Sequence, residues 1–564
     1  LFSVEELIRG VECAPEGEGT ACERHVGNDE EEATMEAKRK LRALSLLLVA
    51  LGCGATMAFA TGGTESVAVP AQEVHIKGWI AWSPAPVTDN PTLNDQLMFK
   101  EVQKKFNIFI DWTAATGSTS DLAAQLGLII ASGDLPDIMG LKRLAAVQLA
   151  QEYGRQGAFL PLEDLIAKYG PNLTAAMRSN PAYRGQTTSP DGHIYFYPRL
   201  MEPLPRAFSG YQIRKDWLDK LQLPMPSTMA ELETVLTAFR DKDPNGNGAA
   251  DEIPWSSDPR ALIWPFGVGS KGYNNSTDMF LENDTVKYGP TDPRYKEAVT
   301  LLARWYAEKL IDNEYLGQSG SQFDTKVLAD RVGACLGSFA GYLTKYNGLF
   351  RGEQKSGLFV AMPAPAGPTG IRSMMGSHRE TDPGSGAAIS VKTKYPAEIA
   401  RMMDYFYGDE GRKLLFFGAL GDTYQMEGGK PVYTEKVTKQ PKLSVSQYLD
   451  TYIGYFSSWP SIVPADHQLQ LYDKEGKDAI QISAQTMGDR KIPNLQFTAD
   501  ETKEMQTIVR DVDTFVDEWL HAFIRGQKPM TEWAAFQEGL KKLNVERLTA
   551  IYQAACQRYR KAAS

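Results

Sequence analysis

Cysteine is scarce: five occur in 564 residues, and only Cys335 and Cys556 lie beyond the first sixty. That excludes a disulfide framework and any cysteine-based zinc site. The two read as separate buried thiols, with a Cys335–Cys556 bridge as the alternative in an oxidising compartment. After residue 60 no apolar run reaches the length of a membrane-spanning helix. Histidine numbers six, and neither H-E-x-x-H nor G-x-S-x-G is present, which removes the commonest zinc-peptidase and serine-hydrolase signatures. Nor is there an excess of base. Sixty Lys and Arg against seventy Asp and Glu give a net charge of −10, which argues against a nucleic-acid-coating protein. Internal repeats and low-complexity tracts are missing from the main body. Aromatics, by contrast, are plentiful: 24 Tyr, 23 Phe and 10 Trp supply flat faces for packing or for stacking on a ligand.

Residues 1–34 hold ten acids and two bases and lack hydrophobic periodicity. They read as an over-extended reading frame, with Met35 as the start. Lys38, Arg39, Lys40 and Arg42 then precede the apolar stretch Ala43–Gly52, the pattern of a secretory signal over 35–60. Two processing sites compete: Ala58-Phe59-Ala60, cleaved before Thr61, and a lipoprotein-like box ending in Cys53, which would then be lipidated. Either places the mature chain outside the cytoplasmic membrane. Residues 61–71 read as a tether.

From residue 72 the pattern becomes that of a fold. Val74, Ile76 and Trp79–Trp82 suggest a strand, Leu97, Val102 and Phe106 a helix face, and Ile108–Trp112 a second strand. Leu122–Ile130 reads as a helix, and Gly133–Met139 as a buried strand between turn signals. Strands alternating with helices predict an α/β fold with a parallel-type sheet. Ile194–Pro198 reads as a further strand. Thr228 with Glu231 forms a capping box before a Leu232, Val235, Leu236, Phe239 stripe, and Thr498 with Glu501 does the same for a helix that Gly526 and Pro529 stop.

The sharpest chemical signal is the acidic loop 241–252. Alternating side-chain oxygens with a glycine at the bend suit a hard, oxygen-seeking cation, and calcium is the expected one. Two registers fit. One takes Asp241, Asp243, Asn245, Gly246 and a twelfth-position Glu252; the other takes Asp243, Asn245, Asn247, the Ala249 carbonyl, Asp251 and Glu252. With no second such loop and Pro254 following, the site reads as structural, fastening the preceding helix to the strand after it.

Tyr211–Leu221, the Pro226–Met229 helix start and Asp243–Pro254 together resemble the family 1 extracellular solute-binding proteins. Within these, the chain is similar to the calcium-loop lipoprotein group with alginate- and oligosaccharide-binding members of ABC importers. Ala131–Ile138, Phe159–Ile166, Gly421–Tyr424, Phe523–Gly526 and Trp533 extend the resemblance over roughly residues 72–560. It implies a type II periplasmic-binding-protein-like fold, with two hinge-linked α/β lobes and a ligand cleft between them. The expected lobes are 72–205 with 368–425, and 206–367 with 426–564. It also implies the second register as metal ligands: Asp243, Asn245, Asn247, Ala249, Asp251 and Glu252. Where the family carries Glu-Gly before a Tyr, this chain reads Gly421-Asp422-Thr423-Tyr424.

A sugar presents an apolar C–H face and a rim of hydroxyls, so its cleft needs aromatic platforms flanked by polar side chains. The candidates are Trp82, Trp264, Phe339, Tyr342, Tyr424 and Trp459. His378 and Arg379 lie in a Gly- and Ser-rich loop, where Arg379 could grip a carboxylate. Trp217 and Trp519 fall in helical patterns and read as core. The expected function is capture of a sugar or oligosaccharide by lobe closure and delivery to the permease subunits of an ABC importer, by a monomer without catalytic residues. The alternatives are a secreted calcium-stabilised polysaccharide hydrolase or lyase and a non-binding scaffold. Within the receptor reading, peptide or lipid ligands stay open.

Overall fold

Two sheets organise the chain. The first has six strands in the order Ser461–Val463, Tyr197–Met201, Thr381–Ile389, Ile138–Gly140, Val74–Ala81, Ile108–Ala115. All run parallel except Thr381–Ile389. The second has four, Phe359–Ala361, Ser209–Arg214, Val332–Ser338 and Ile253–Trp255, with only Ser209–Arg214 reversed. These positions come from a computed structural model, which describes residues 72–82, 85, 89, 91–141, 146–202, 209–272, 276–352, 357–373, 381–440, 443–454, 459–486 and 490–564. The signal sequence, Cys53, His378 and Arg379 lie outside those residues, all of which belong to one compact unit.

Val74–Ala81 alternates buried and exposed at its start and is wholly buried from Gly78 onward, as a strand does when it runs beneath helices on both faces. Gly78 is needed there, because the Trp112 ring of the neighbouring strand lies where a Cβ would project. The expected Gly133–Met139 strand is confined to Ile138–Gly140, and the one expected at Ile194–Pro198 begins at Tyr197. Both helix starts form as the capping boxes dictate. Thr228 accepts from the Glu231 amide and Thr498 from the Glu501 amide. Leu232, Val235, Leu236 and Phe239 are buried, and Gly526 ends the long helix Ala499–Ile524 at φ +70.

The chain passes between the sheets three times: from Met201 to Ser209, from Ala361 to Thr381, and from Val463 toward the helix Lys474–Ala484. The third passage falls later than the expected 425. The hairpin Tyr424–Glu427 with Lys430–Tyr433 packs on the first lobe, where Tyr433 bonds His467, and Ser461–Val463 completes that lobe's sheet. Residues 427–430 form the tip of this hairpin.

The C-terminal helices enlarge the second lobe's core, burying Val512, Val516, Leu520, Phe523 and Phe536 against it. Cys335 and Cys556 are separate buried thiols. At the junction a chain of buried carboxamides ties the lobes. Gln151 Nε2 donates to Gln496 Oε1 at 2.9 Å, and Gln496 Nε2 donates to the main-chain carbonyl of Gln186 at 2.9 Å.

Candidate functional site

Strand direction locates the cleft. Tyr197–Met201 leaves the first sheet at its carboxyl end, and Ser209 enters the second. Because Ser209–Arg214 is the reversed strand there, the other three strands of that sheet also aim their carboxyl ends back at the crossing. Both sheets therefore direct strand carboxyl ends at the gap the chain crosses, the position where open α/β sheets bind ligands.

On the first lobe, Trp82 follows Val74–Ala81, and its indole Nε1 donates to the Asp450 carbonyl at 3.3 Å. Gln96 Nε2 donates to the same carbonyl at 2.7 Å, and the Ala85 amide donates to Thr451 Oγ1 at 3.3 Å. These bonds hold the π-helical turn Leu449–Ile453 beside the strand end. Tyr452 donates its hydroxyl to Asp89 Oδ1 at 3.0 Å and lies 5.1 Å from the Tyr448 ring. Burial and the Asp89 bond raise the Tyr452 phenol, so it stays a donor at neutral pH. This cluster was not foreseen. Its turn is invisible to periodicity, and its segment read as second lobe.

On the second lobe, Val332–Ser338 runs directly into another π-helical turn, Phe339–Thr344, capped where Ser338 Oγ accepts from the Gly341 amide at 2.8 Å. Tyr342 is half-buried and stacks on Phe323 at 4.9 Å. Thr344 Oγ1 bonds Asp473, the N-cap of Lys474–Ala484, at 3.2 Å. Such turns are uncommon and concentrate at functional sites. Here each lobe sets one beside a strand carboxyl end.

The remaining expected platforms are corrected by their surroundings. Trp264 is 1% exposed in the second-lobe core, with its Nε1 bonded to the Ser270 carbonyl at 2.9 Å. Phe339 is fully buried in the same core. Trp459 is fully buried among Phe99, Trp112 and Phe406. None of the three presents a free face, because aliphatic and aromatic neighbours already cover the rings. Tyr424 is buried against Phe417 and lines a pocket of about 260 Å3 made only of first-lobe residues, including Glu101, Glu410 and Lys413. In the same stretch Thr423 is buried and bonded to the Phe417 carbonyl, while Asp422 pairs with Lys436 on the surface.

The acidic loop joins the helix Met229–Asp241 to the strand Ile253–Trp255. Asp243 takes φ +44, and its carboxylate accepts from the Gly246, Asn247 and Gly248 amides at 2.8, 3.1 and 3.1 Å. Asn245 and Asn247 both reach Asp251 Oδ1, at 3.2 and 3.0 Å. Asp241 turns away, with both its oxygens held by Arg240 at 2.6 and 2.8 Å. Glu252 is left short of partners: its Oε1 is buried without a hydrogen bond, and burial with the Asp243 and Asp251 charges raises its carboxyl above the usual range. Among the described residues no three His, Cys, Asp or Glu side chains are already drawn together as a metal cage. The donor set nonetheless fits a hard cation, being all oxygen, net negative and containing one orphaned buried carboxylate oxygen. The loop is fastened to the sheet through Arg331 Nε, which donates to the Asp251 carbonyl at 2.9 Å, and Asn245 Nδ2, which donates to the Asp330 carbonyl at 3.2 Å.

Residues 90–413 match the bacterial extracellular solute-binding protein family. The fructooligosaccharide ABC transporter substrate-binding protein FusA of Streptococcus pneumoniae serotype 4 is 33% identical over 345 residues, 58% of this chain and 60% of FusA. The polygalacturonan/rhamnogalacturonan-binding protein YtcQ of Bacillus subtilis is 26% identical over 407 residues, 70% of this chain and 76% of YtcQ. In structure, alginate-binding protein AlgQ2 without calcium ion superposes with a TM-score of 0.63 at 26% identity, covering 86% of this chain and 98% of AlgQ2. FusA in complex with kestose gives 0.61 at 25% identity, covering 86% and 99%. An EF-hand mutant of FusA has also been solved with fructo-nystose.

Proposed function

The chain belongs to the bacterial extracellular solute-binding proteins, and on that premise we propose that it captures a sugar or oligosaccharide outside the cytoplasmic membrane and delivers it to the permease of an ABC importer. The observation that carries this is the pair of sheets aiming their carboxyl ends at one crossing, with Trp82, Tyr448 and Tyr452 on one side and Ser338–Tyr342 on the other. Trp82 and Tyr448 are buried and support the turn, whereas the half-buried rings of Tyr452 and Tyr342 suit the C–H face of a pyranose or furanose, and the Asp89 and Asp450 neighbourhood supplies acceptors for its hydroxyls. FusA and YtcQ, both named for saccharides, support that ligand class. Closure about the three passages brings the two faces onto one ligand. His378 and Arg379 are further candidates for contacting the sugar.

The acidic loop holds calcium through Asp243, Asn245, Asn247, the Ala249 carbonyl, Asp251 and Glu252. Asp241 is committed to Arg240, which favours this register over the one beginning at Asp241. The ion neutralises the loop's charge and braces the strand Ile253–Trp255. The protein works as a monomer, exported by its N-terminal signal and either released or anchored at Cys53. Among the described residues no helix is long and apolar enough to cross a membrane.

Differential scanning fluorimetry with a saccharide panel, followed by mass analysis of the recovered sugar, tests the reading. A rise in melting temperature with the sugar recovered intact is expected. Shortened products would mark a hydrolase or lyase instead, and no shift with any saccharide would refute the proposal.

A further inference from the structure

We infer that two buried glutamines, Gln96 and Gln212, are positioning residues that set the aromatic faces of the cleft, one for each lobe. The inference rests on the sugar-binding reading of the cleft and adds a separate claim about what holds its rings.

Both side chains are fully buried, and each bonds the main chain in or just before a π-helical turn. The turn Leu449–Ile453 stops at Gly454, whose backbone is extended, so no following helical amides meet the Asp450 and Thr451 carbonyls. Gln96 brings a donor to both. Its Nε2 lies 2.7 Å from the Asp450 carbonyl and 3.4 Å from that of Thr451, the two residues that lead into Tyr452. On the second lobe, Gln212 Nε2 donates to the Gly337 carbonyl at 2.9 Å. The Tyr342 ring packs so closely on Gly337 that a Cβ there would collide with it. Gly337 is therefore the floor beneath Tyr342, and Gln212 fixes that floor.

The nitrogen end of each carboxamide is settled by chemistry, because it faces carbonyls, which only accept. The other end, Oε1, is buried in both residues with no hydrogen-bond partner among the described residues. An unpaired buried oxygen is destabilising, and a methionine or leucine of similar volume would avoid it. Packing alone does not call for either glutamine. What each contributes is a donor aimed at the main chain beside a half-buried tyrosine of the cleft.

Gln96→Met and Gln212→Met test the inference, with Gln96→Leu and Gln212→Leu as second variants. Hydrogen–deuterium exchange of the sugar-free full chain comes first. Gln96→Met is expected to speed exchange about tenfold in peptides covering 448–454 while 338–344 stay as in the parent, and Gln212→Met to do the reverse. Calorimetric titration with kestose, maltotriose, xylotriose and trigalacturonate follows. With any sugar the parent binds, each variant should weaken binding about fivefold. Gln96→Met added to Tyr452→Ala, and Gln212→Met added to Tyr342→Ala, should weaken it no further, whereas the crossed pairs should combine multiplicatively. A glutamine that merely stabilised its lobe would loosen exchange broadly and give independent losses in every pair. Either result would overturn the inference. So would unchanged exchange in both turns, or failure of the Met and Leu variants alike to fold. A parent that binds none of the four sugars counts against the cleft reading, and the exchange pattern then decides the inference alone.

Discussion

The two lobes use the same structural position, the carboxyl end of a strand, in different ways. On the first lobe, Trp82 anchors a π-helical turn through the Asp450 carbonyl, leaving Tyr452 partly open beside Asp89. On the second, Phe339 in the same kind of position is absorbed into a core that the C-terminal helices enlarge, as is Trp264 in the helical turn Trp264–Phe266, while Tyr342 stays half-open. An aromatic residue at a strand end is therefore a platform or a core residue according to how much apolar surface the rest of the chain brings to that side. The lobe that the C-terminal helices enlarge is also the one that carries the acidic loop.

Four measurements would break or sharpen this contrast. Trp264→Ala is expected to destabilise the protein by about 3–5 kcal/mol, the cost of emptying a large core site, while the affinity of the remaining folded protein for its sugar stays unchanged. Chemical denaturation with a ligand titration checks both, and a selective loss of affinity would return Trp264 to the cleft. Next in size, chelation should lower stability by roughly 3–4 kcal/mol when calcium had been present at a hundred to a thousand times its Kd. Asp243→Ala should be insensitive to the chelator, and an equal loss in both proteins would place the ion elsewhere.

The third concerns Asp278, 3% exposed in the second lobe, whose carboxyl burial pushes up to about 6 despite a bond from the Lys271 amide. The native state thus holds a proton that the unfolded chain releases nearer pH 4. Stability falls as pH rises between those values, by roughly 2–3 kcal/mol. Asp278→Asn should remove that slope, as urea midpoints between pH 4.5 and 7.5 would record. The smallest effect is at the first-lobe face, where Tyr452→Ala should weaken sugar binding about tenfold, near 1.4 kcal/mol, with little change in melting temperature. Calorimetric titration checks it, and unchanged affinity would leave that lobe without its proposed platform.

What was legible in the sequence follows the range of the forces involved. Capping boxes at Thr228 and Thr498 are local, written in side chains three positions apart, and they form as expected, and the acidic loop joins the helix to the strand that its sequence placed around it. The fate of Trp264, Phe339 and Trp459 depends on what arrives from distant segments, which residue type alone does not encode. The third passage was misplaced for a similar reason. The hairpin at 424–433 is tied to the first lobe by bonds to Phe416, Gln470 and His467 and by packing on Phe417, contacts that its local sequence does not encode. Tyr448 and Tyr452 were missed because a π-helical turn has no hydrophobic signature.

The buried glutamines at the lobe junction carry one more implication. Carboxamides do not titrate, and their bonds are not weakened by added salt as ion pairs are. A receptor working beyond the cytoplasm meets acidity and ionic strength that its cell does not regulate. A joint fastened by the carboxamides of Gln151 and Gln496 on the main-chain carbonyl of Gln186 would keep the same stiffness through those swings, leaving the arrival of cargo as the signal that moves it.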